Sequence, residues 1–154
     1  MKDRERVVVD TNTLVSRLLL SQSVPGRAVR RVVDEAQILV SEETMSELAD
    51  VLARAKFDRY VTIEDRQQFL LLLGRVAEWV PIVGAVQACR DPNDDKFLAL
   101  GVCGEAATLI TGDDDLLVLN PFQGISIVTP ADYLARNQAR EADAAPGSSE
   151  PSRR

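Results

Sequence analysis

Two short apolar segments, far apart in the sequence, each end on an aspartate. VVVD ends on Asp10, and ATLITGD ends on Asp113. In open α/β sheets, ligands bind beyond the carboxyl ends of the strands, so these two acids converge if their strands are neighbours. The chain contains no histidine. Carboxylates that converge without histidine indicate a hard divalent cation held by oxygen ligands alone, Mg²⁺ or Mn²⁺.

The segment RDPNDDKFLAL adds three acids near a predicted helix start. Its Pro-Asn pair predicts a turn, which puts Asp94 and Asp95 at or near the N-terminus of a helix. An acid at this position stabilises a helix by about 0.5–2 kcal/mol, which explains one acid well but three acids poorly. Asp95 precedes Leu98 by three residues, and this spacing predicts that it faces inward.

The segment TGDDDLL places three consecutive acids directly after a predicted strand. Gly112 allows a sharp turn, Asp113 is the first acid beyond it, and Asp115 is positioned to cap the next short turn. Two unit charges 4 Å apart repel by about 4 kcal/mol at an effective dielectric constant near 20. Acids gathered in one crevice therefore need a counter-ion, and a divalent metal supplies it.

Glu47 lies on the helix predicted to follow the second strand. Ser41 is the predicted N-cap of this helix. Met45 and Leu48 flank Glu47 and place it at the edge of the buried stripe. Its spacing from Glu43 also fits a solvated acidic face, and Glu43 is the alternative if the helix has a different register.

Strands alternate with helices along the chain, which predicts right-handed βαβ units, a mostly parallel sheet covered by helices and an α/β fold. We expect one domain at residues 1–136 and a disordered tail at 137–154, where Ala, Gly, Ser, Pro, Glu and Arg predominate. The predicted strands are 6–9, 38–40, 82–83, 109–111 and 125–128. The predicted helices are 25–36, one after Ser41, one from Thr62 towards Pro81, one from Asn93 or Asp94 to about Cys103, and 130–136.

Composition excludes several classes of function. The net charge of −6 argues against broad attraction to nucleic acid or anionic membranes, although a local basic patch stays compatible with it. No apolar run has the length of a membrane helix, and the N-terminus resembles no signal peptide. The two cysteines lack CxxC spacing and are expected to be reduced and structural. We therefore expect a cytoplasmic protein, in which the lack of histidine excludes Ser-His-Asp and Cys-His catalysis.

Together, VVVDTN, the helical glutamate, DPNDDKFLAL and LITGDDDLL resemble the PIN-domain ribonuclease family, and most closely the toxin components of toxin–antitoxin pairs. The segment ARAKFDRY is similar as well, and the resemblance runs from about Val7 to Tyr133. It implies a three-layer α/β/α domain, an acidic pocket that binds Mg²⁺ or Mn²⁺, and cleavage of single-stranded RNA that leaves a 3′-hydroxyl and a 5′-phosphate.

The resemblance also assigns residues to the site. Asp94 and Asp114 carry additional charge, and either replaces its neighbour if the register is off by one. The four catalytic and metal-binding acids fall on Asp10, Glu47, Asp95 and Asp113. A further metal ligand falls on Asp115, and the supporting polar residues are Thr11, Asn12, Thr111 and Asp94.

Two basic clusters are either solvated helix surface or a rim that grips RNA phosphates. They comprise Arg27, Arg30 and Arg31, and Arg54, Lys56 and Arg59. The leucine-rich segment from Phe69 to Trp79 is either buried core or a surface for a homodimer or for an antitoxin helix.

Two other functions are weighed against the ribonuclease. One is a non-catalytic module that binds RNA or protein. The other is a phosphatase of the haloacid dehalogenase type, which needs a D-x-D motif where this chain has Asn12.

Overall fold

The computed structural model describes residues 4–136 of the chain, and these form a five-stranded, all-parallel sheet in the order β3-β2-β1-β4-β5. This confirms the predicted α/β fold with a parallel central sheet. The strands are β1 (Arg6–Val9), β2 (Gln37–Val40), β3 (Glu78–Trp79), β4 (Thr108–Ile110) and β5 (Ser126–Val128).

Helices connect all the strands, and two single 3-10 turns lie at Ala55–Phe57 and Pro92–Asp94. A last helix, α7, covers residues 130–136. None of the helices within residues 4–136 is long and apolar enough to cross a bilayer. The others are α1 (Thr11–Leu19), α2 (Val24–Glu35), α3 (Glu42–Leu52), α4 (Ile63–Val76), α5 (Asp95–Cys103) and α6 (Asp114–Leu117).

The sheet divides the core into two layers, because successive side chains of a strand point to opposite faces. Val7 and Val9 of β1 pack against buried side chains of α1 to α4 and α7. Val8 packs on the other face, against α5 and α6. The fold is therefore a three-layer α/β/α domain, and apolar side chains cover both faces of its central strand.

The sheet has a switch point between its two central strands, β1 and β4. From β1 the chain continues to β2 on one side of the sheet, and from β4 it continues to β5 on the other side. Val9 is in register with Ile110, and the N–H of Asp10 donates to the carbonyl of Ile110 at 3.1 Å. Asp10 and Thr111 therefore leave the sheet side by side. A switch point of this kind opens a crevice at the carboxyl ends of the two strands, the usual position of ligand sites in such sheets.

Side-chain caps fix the helix starts near this crevice. Ser41 accepts from the N–H of Thr44 and Thr44 accepts from the N–H of Ser41, so that α3 starts with the reciprocal capping arrangement. Asp10 caps α1, because its side chain accepts from the N–H of Thr13. The start of α1 thus depends on Asp10, the acid that directly follows β1.

Two local predictions were wrong, one helix was not predicted, and the predicted tail lies outside the described residues. The helix absent from the prediction is α1, Thr11–Leu19. The third strand is Glu78–Trp79, paired with β2, and residues 82–83 are not a strand. Trp79 therefore lies in β3 and not in the helix predicted from Thr62 towards Pro81, and its side chain is 49% exposed. Its indole N–H donates to the carbonyl of Gly74, so the polar end of the ring is satisfied at the surface.

Candidate metal centre

Asp10 is a buried carboxylate, only 6% exposed, at the end of the central strand. Its Oδ1 accepts from the N–H of Thr13 at 2.9 Å. Its Oδ2 accepts from the hydroxyl of Thr111 at 2.5 Å. These bonds offset part of the cost of burying the carboxylate and fix its orientation, because each oxygen is held by a different element.

Thr111 joins the two strand ends through a single hydroxyl. Its Oγ1 donates to Asp10 and accepts from the N–H of Asp113 at 3.0 Å, while its side chain is fully buried after β4. The position of Asp113 is thereby linked to that of Asp10. The predicted convergence of the two acids thus has a direct structural basis in Thr111.

A compact group of carboxylates forms beside this link. Asp94, Asp113 and Asp115 each offer an oxygen, and these oxygens all lie within 4.8 Å of one another. Asp113 also accepts from the N–H of Asp115 at 2.9 Å and thereby caps α6. We call these three residues the acidic cluster. Its oxygen-only donors suit Mg²⁺ or Mn²⁺ rather than Zn²⁺.

Asp94 is the acid of this cluster whose pKa is raised. Burial, a hydrogen bond with Asp113 and the charges of Asp113 and Asp91 raise the pKa of Asp94 to about 7, against the smaller opposing effect of Lys96. Asp94 is therefore partly protonated near neutral pH in the metal-free protein, because a carboxyl group beside other acids ionises less readily. A bound cation would replace the proton on Asp94.

This shift makes the stability of the metal-free protein depend on pH. Folding raises the pKa of Asp94 from 3.8 to about 7, so the folded state binds a proton that the unfolded chain has already lost. The stabilising contribution is complete below the unfolded pKa and is lost as the pH rises through the folded pKa. We expect the free energy of unfolding in EDTA to fall between pH 5 and pH 7 more steeply for the parent than for Asp94→Asn, measured by urea denaturation. Parallel curves would contradict the raised pKa of Asp94.

The structure places Asp95 at the loop before α5. Its Oδ1 accepts from the N–H groups of Ala88 and Cys89, at 3.1 and 2.8 Å, and so holds this loop. Burial acts to raise the pKa of Asp95, but these bonds outweigh it and hold the pKa below its usual value. Asp94, the last residue of the 3-10 turn before α5, is the acid that groups with Asp113. Burial also raises the pKa of the Cys89 thiol to about 12, which keeps it protonated.

Glu47 lies apart from the acidic cluster, on a groove of about 1310 Å³ along α3. Glu42, Glu43 and Asp50 line the same groove. Glu47 is 31% exposed and accepts from the ammonium of Lys96 at 2.5 Å. Lys96 follows Asp94 by two residues, so it connects the helical glutamate with the acidic cluster. Lys96 is not among the residues predicted for the site, although a lysine that directly follows two aspartates is a recognisable signal.

The other predicted polar residues differ in their surroundings. Thr11 is buried, and its hydroxyl has no hydrogen-bond partner among the described residues. Asn12 and Asp114 are exposed, and Asp114 lies outside the acidic cluster. A buried hydroxyl next to Asp10 leaves one polar atom to be satisfied by water or by a ligand, which fits a site that holds an ion.

The first basic cluster forms a pocket of about 320 Å³ between α1, α2 and α7. The pocket is lined by the predicted residues Arg27, Arg30 and Arg31. Arg17, which is not among the predicted residues, lines it as well. Arg30 pairs with Asp34 at 3.4 Å, and Arg31 pairs with Glu35 at 3.5 Å. This arginine pocket is a local basic site in a chain whose net charge is negative.

The residues of the second basic cluster have different surroundings. Arg54 lies on the groove along α3, which Glu47 and Lys96 also line. Lys56 and Arg59 are exposed in the segment after α3, and the ammonium of Lys56 lies 5.2 Å from the centre of the Phe57 ring.

An all-parallel α/β/α domain with acids at the carboxyl ends of its two central strands is a fold that can hold a divalent cation in its central crevice. A family model described as PIN domain matches residues 6–115, and the chain belongs to the PIN domain family. This confirms the resemblance inferred from the motifs. PIN domains are generally nucleases, and they typically use divalent metals.

Comparisons with individual proteins agree with this assignment. The uncharacterized protein MJ1680 of Methanocaldococcus jannaschii is 28% identical over 120 residues, which cover 77% of each chain. PAE2754 from Pyrobaculum aerophilum matches with a TM-score of 0.59 at 14% identity, over 88% of this chain and 90% of that one. VapBC2 from Rickettsia felis, bound to a DNA fragment from their promoter, matches with a TM-score of 0.52 at 13% identity, over 80% and 98%. The two structures show a shared fold.

Proposed function

We propose that this protein is a metal-dependent endoribonuclease that hydrolyses phosphodiester bonds of single-stranded RNA and acts as the toxin of a toxin–antitoxin pair. The observation that carries the proposal is the link from Asp10 through Thr111 to Asp113, with Asp94 beside it. Family membership adds independent support, because PIN domains are generally nucleases.

The proposed metal ligands are the acidic cluster of Asp94, Asp113 and Asp115, with Asp10 directly or through water. The donor set is oxygen only, and the raised pKa of Asp94 marks a place where positive charge is favourable. These features suit a divalent cation of the Mg²⁺ or Mn²⁺ type. Asp95, the ligand predicted from the sequence, contributes by holding the loop that leads into the cluster.

Different residues of the chain have different roles in the proposed hydrolysis. When bound, a divalent cation supplies Lewis-acid stabilisation for the charge that develops on the scissile phosphate. Asp10 and Thr111 keep the two strand ends in a fixed arrangement, so no reorganisation is needed when substrate binds. Glu47, at the edge of the groove, orients the attacking water or accepts its proton. The products of this hydrolysis are a 3′-hydroxyl and a 5′-phosphate.

RNA approaches an acidic protein through local basic sites. The arginine pocket includes Arg17, in the last turn of α1, while Asp10 caps the first turn of the same helix. A helix rises about 1.5 Å per residue, so these two ends are about 10 Å apart. We propose that a strand cleaved near Asp10 is held by its phosphates at this pocket, with Arg54, Lys56 and Arg59 as further contacts.

Apolar side chains on α4 and β3 support the proposal of a protein partner. Leu71, Leu72, Val76 and Trp79 are each about half exposed, so this segment is a surface and not only core. Exposed apolar patches of this kind mark interaction sites. We propose that an antitoxin protein, a second copy of the chain in a homo-oligomer, or both bind to this surface. We also propose that the protein acts in the cytoplasm, where it meets RNA and antitoxin.

The test is cleavage of a single-stranded RNA by the parent, Asp10→Asn and Asp113→Asn, each with Mg²⁺ or Mn²⁺ and with EDTA. We expect cleavage by the parent with metal, none in EDTA, and losses of about 100-fold or more in both variants. A phosphomonoester assayed in parallel separates a nuclease from a phosphatase. Equal RNA cleavage by all three proteins, or cleavage that survives EDTA, would refute the proposal.

A further inference from the structure

Lys96 is held in an unusual position for a lysine. Its side chain is only 11% exposed. Its ammonium donates to Oε1 of Glu47 and to the carbonyl of Asn93, each at 2.5 Å, and lies 5.7 Å from the centre of the Phe97 ring. Lysines are almost never buried unless they are paired. The chain therefore holds a fixed positive charge at this point.

This charge acts on acids of two elements. Asp94 of the acidic cluster precedes Lys96 by two residues, and the charge of Lys96 acts on it. Glu47, which bonds to the ammonium directly, belongs to α3. The sequence predicts that both groups of acids bind metal. In the structure, an ammonium already occupies the position next to the Glu47 carboxylate.

We propose that the ammonium of Lys96 takes the place of a second metal ion, so that the site binds one divalent cation at the acidic cluster. This inference rests on the proposed metal-dependent function. In two-metal sites the ions are about 3.5–4 Å apart and clamp both sides of the reacting phosphate. A divalent ion at Glu47 would have to displace an ammonium bonded to the same carboxylate, against the repulsion between the two cations.

The geometry also suggests what the ammonium does. An ammonium has three donors. Among the described residues, Glu47 and the Asn93 carbonyl account for two of them. The third is available to an oxygen of a phosphate bound at the acidic cluster. Lys96 thus supplies part of the charge stabilisation that a second metal ion would provide.

The experiment measures the number of Mn²⁺ ions that the metal-free, full-length protein binds without RNA, by calorimetry and by electron paramagnetic resonance of the free ion. We expect one Mn²⁺ per chain for the parent and for Lys96→Arg, and two for Lys96→Met and Lys96→Gln. Glu47→Gln in the Lys96→Met background should return the number to one. The matched control is Lys56→Met, because Lys56 also precedes and approaches a phenylalanine ring but lies on the surface.

Two results would overturn the inference alone: two Mn²⁺ ions in the parent, or a single ion in both Lys96→Met and Lys96→Gln when both unfold cooperatively. No binding in the parent would overturn the proposed metal-dependent function and this inference with it. The failures of the two proposals are therefore distinguishable.

Discussion

Replacing Asp94 by asparagine is expected to reduce the rate of RNA cleavage by about 100-fold or more, because it removes one of three carboxylates in the acidic cluster. An asparagine keeps the size of the side chain but not its charge. The partner measurement is Mn²⁺ binding, whose affinity should fall in parallel. Cleavage of a labelled single-stranded RNA at saturating Mn²⁺ separates weaker metal binding from slower chemistry.

The neighbouring substitution Asp95→Asn is the matched control. It removes the same charge one residue away, from a side chain that bonds to the N–H groups of Ala88 and Cys89. We expect less than about a tenfold loss of activity, since such supporting interactions affect the site indirectly. A larger loss for Asp95→Asn than for Asp94→Asn would identify Asp95, and not Asp94, as the metal ligand.

Replacing Arg66 by methionine is expected to destabilise the fold by about 2–4 kcal/mol, because buried carbonyl groups lose their donors. Arg66 is 5% exposed and donates to the carbonyls of Leu52 and Val61 and to the carboxylate of Asp58. It thereby fixes α4 to the end of α3 and to the segment between the two helices. The quantity to measure is the free energy of unfolding from urea denaturation at pH 7.

Arg75→Met, on the exposed face of the same helix, is the control for this substitution. Surface changes are usually within about 0.5 kcal/mol, so its unfolding curve should nearly match that of the parent. Arg66→Lys should be intermediate, because it keeps the charge and loses the planar fork. Equal stability of the Arg66 and Arg75 variants would mean that the hydrogen bonds of Arg66 contribute little.

The sequence was most informative about the centre of the sheet. Apolar runs that end on acids indicate parallel strands, and the carboxyl ends of such strands share one edge, so the sequence alone predicts that Asp10 and Asp113 lie near each other. The cap at Ser41 was equally readable, because it depends on side chains three residues apart. These inferences depend on local pattern and on one general rule of sheet geometry.

Other features depend on contacts that no local pattern encodes. The side chains of consecutive residues point in directions about 100° apart around a helix. Whether Asp94 or Asp95 faces Asp113 therefore depends on the exact backbone at the 3-10 turn before α5, which the local sequence pattern does not specify. The bond between Lys96 and Glu47 joins residues 49 positions apart. Helix α1 begins with Thr11, Asn12 and Thr13, which are poor helix formers, so its cap at Asp10 determines its start more than its composition does.

The strand order has a consequence for how long the protein stays active under stress. The edge strand β3 has only two residues, whereas Asp10 continues β1, which is bonded on both sides. Proteins open first at their weakly held periphery, and the amides at the centre of a sheet exchange last. We expect partial fraying at β3 to leave the carboxylates in place. The proposed ribonuclease activity would then be lost only with complete unfolding or with the binding of an inhibitor.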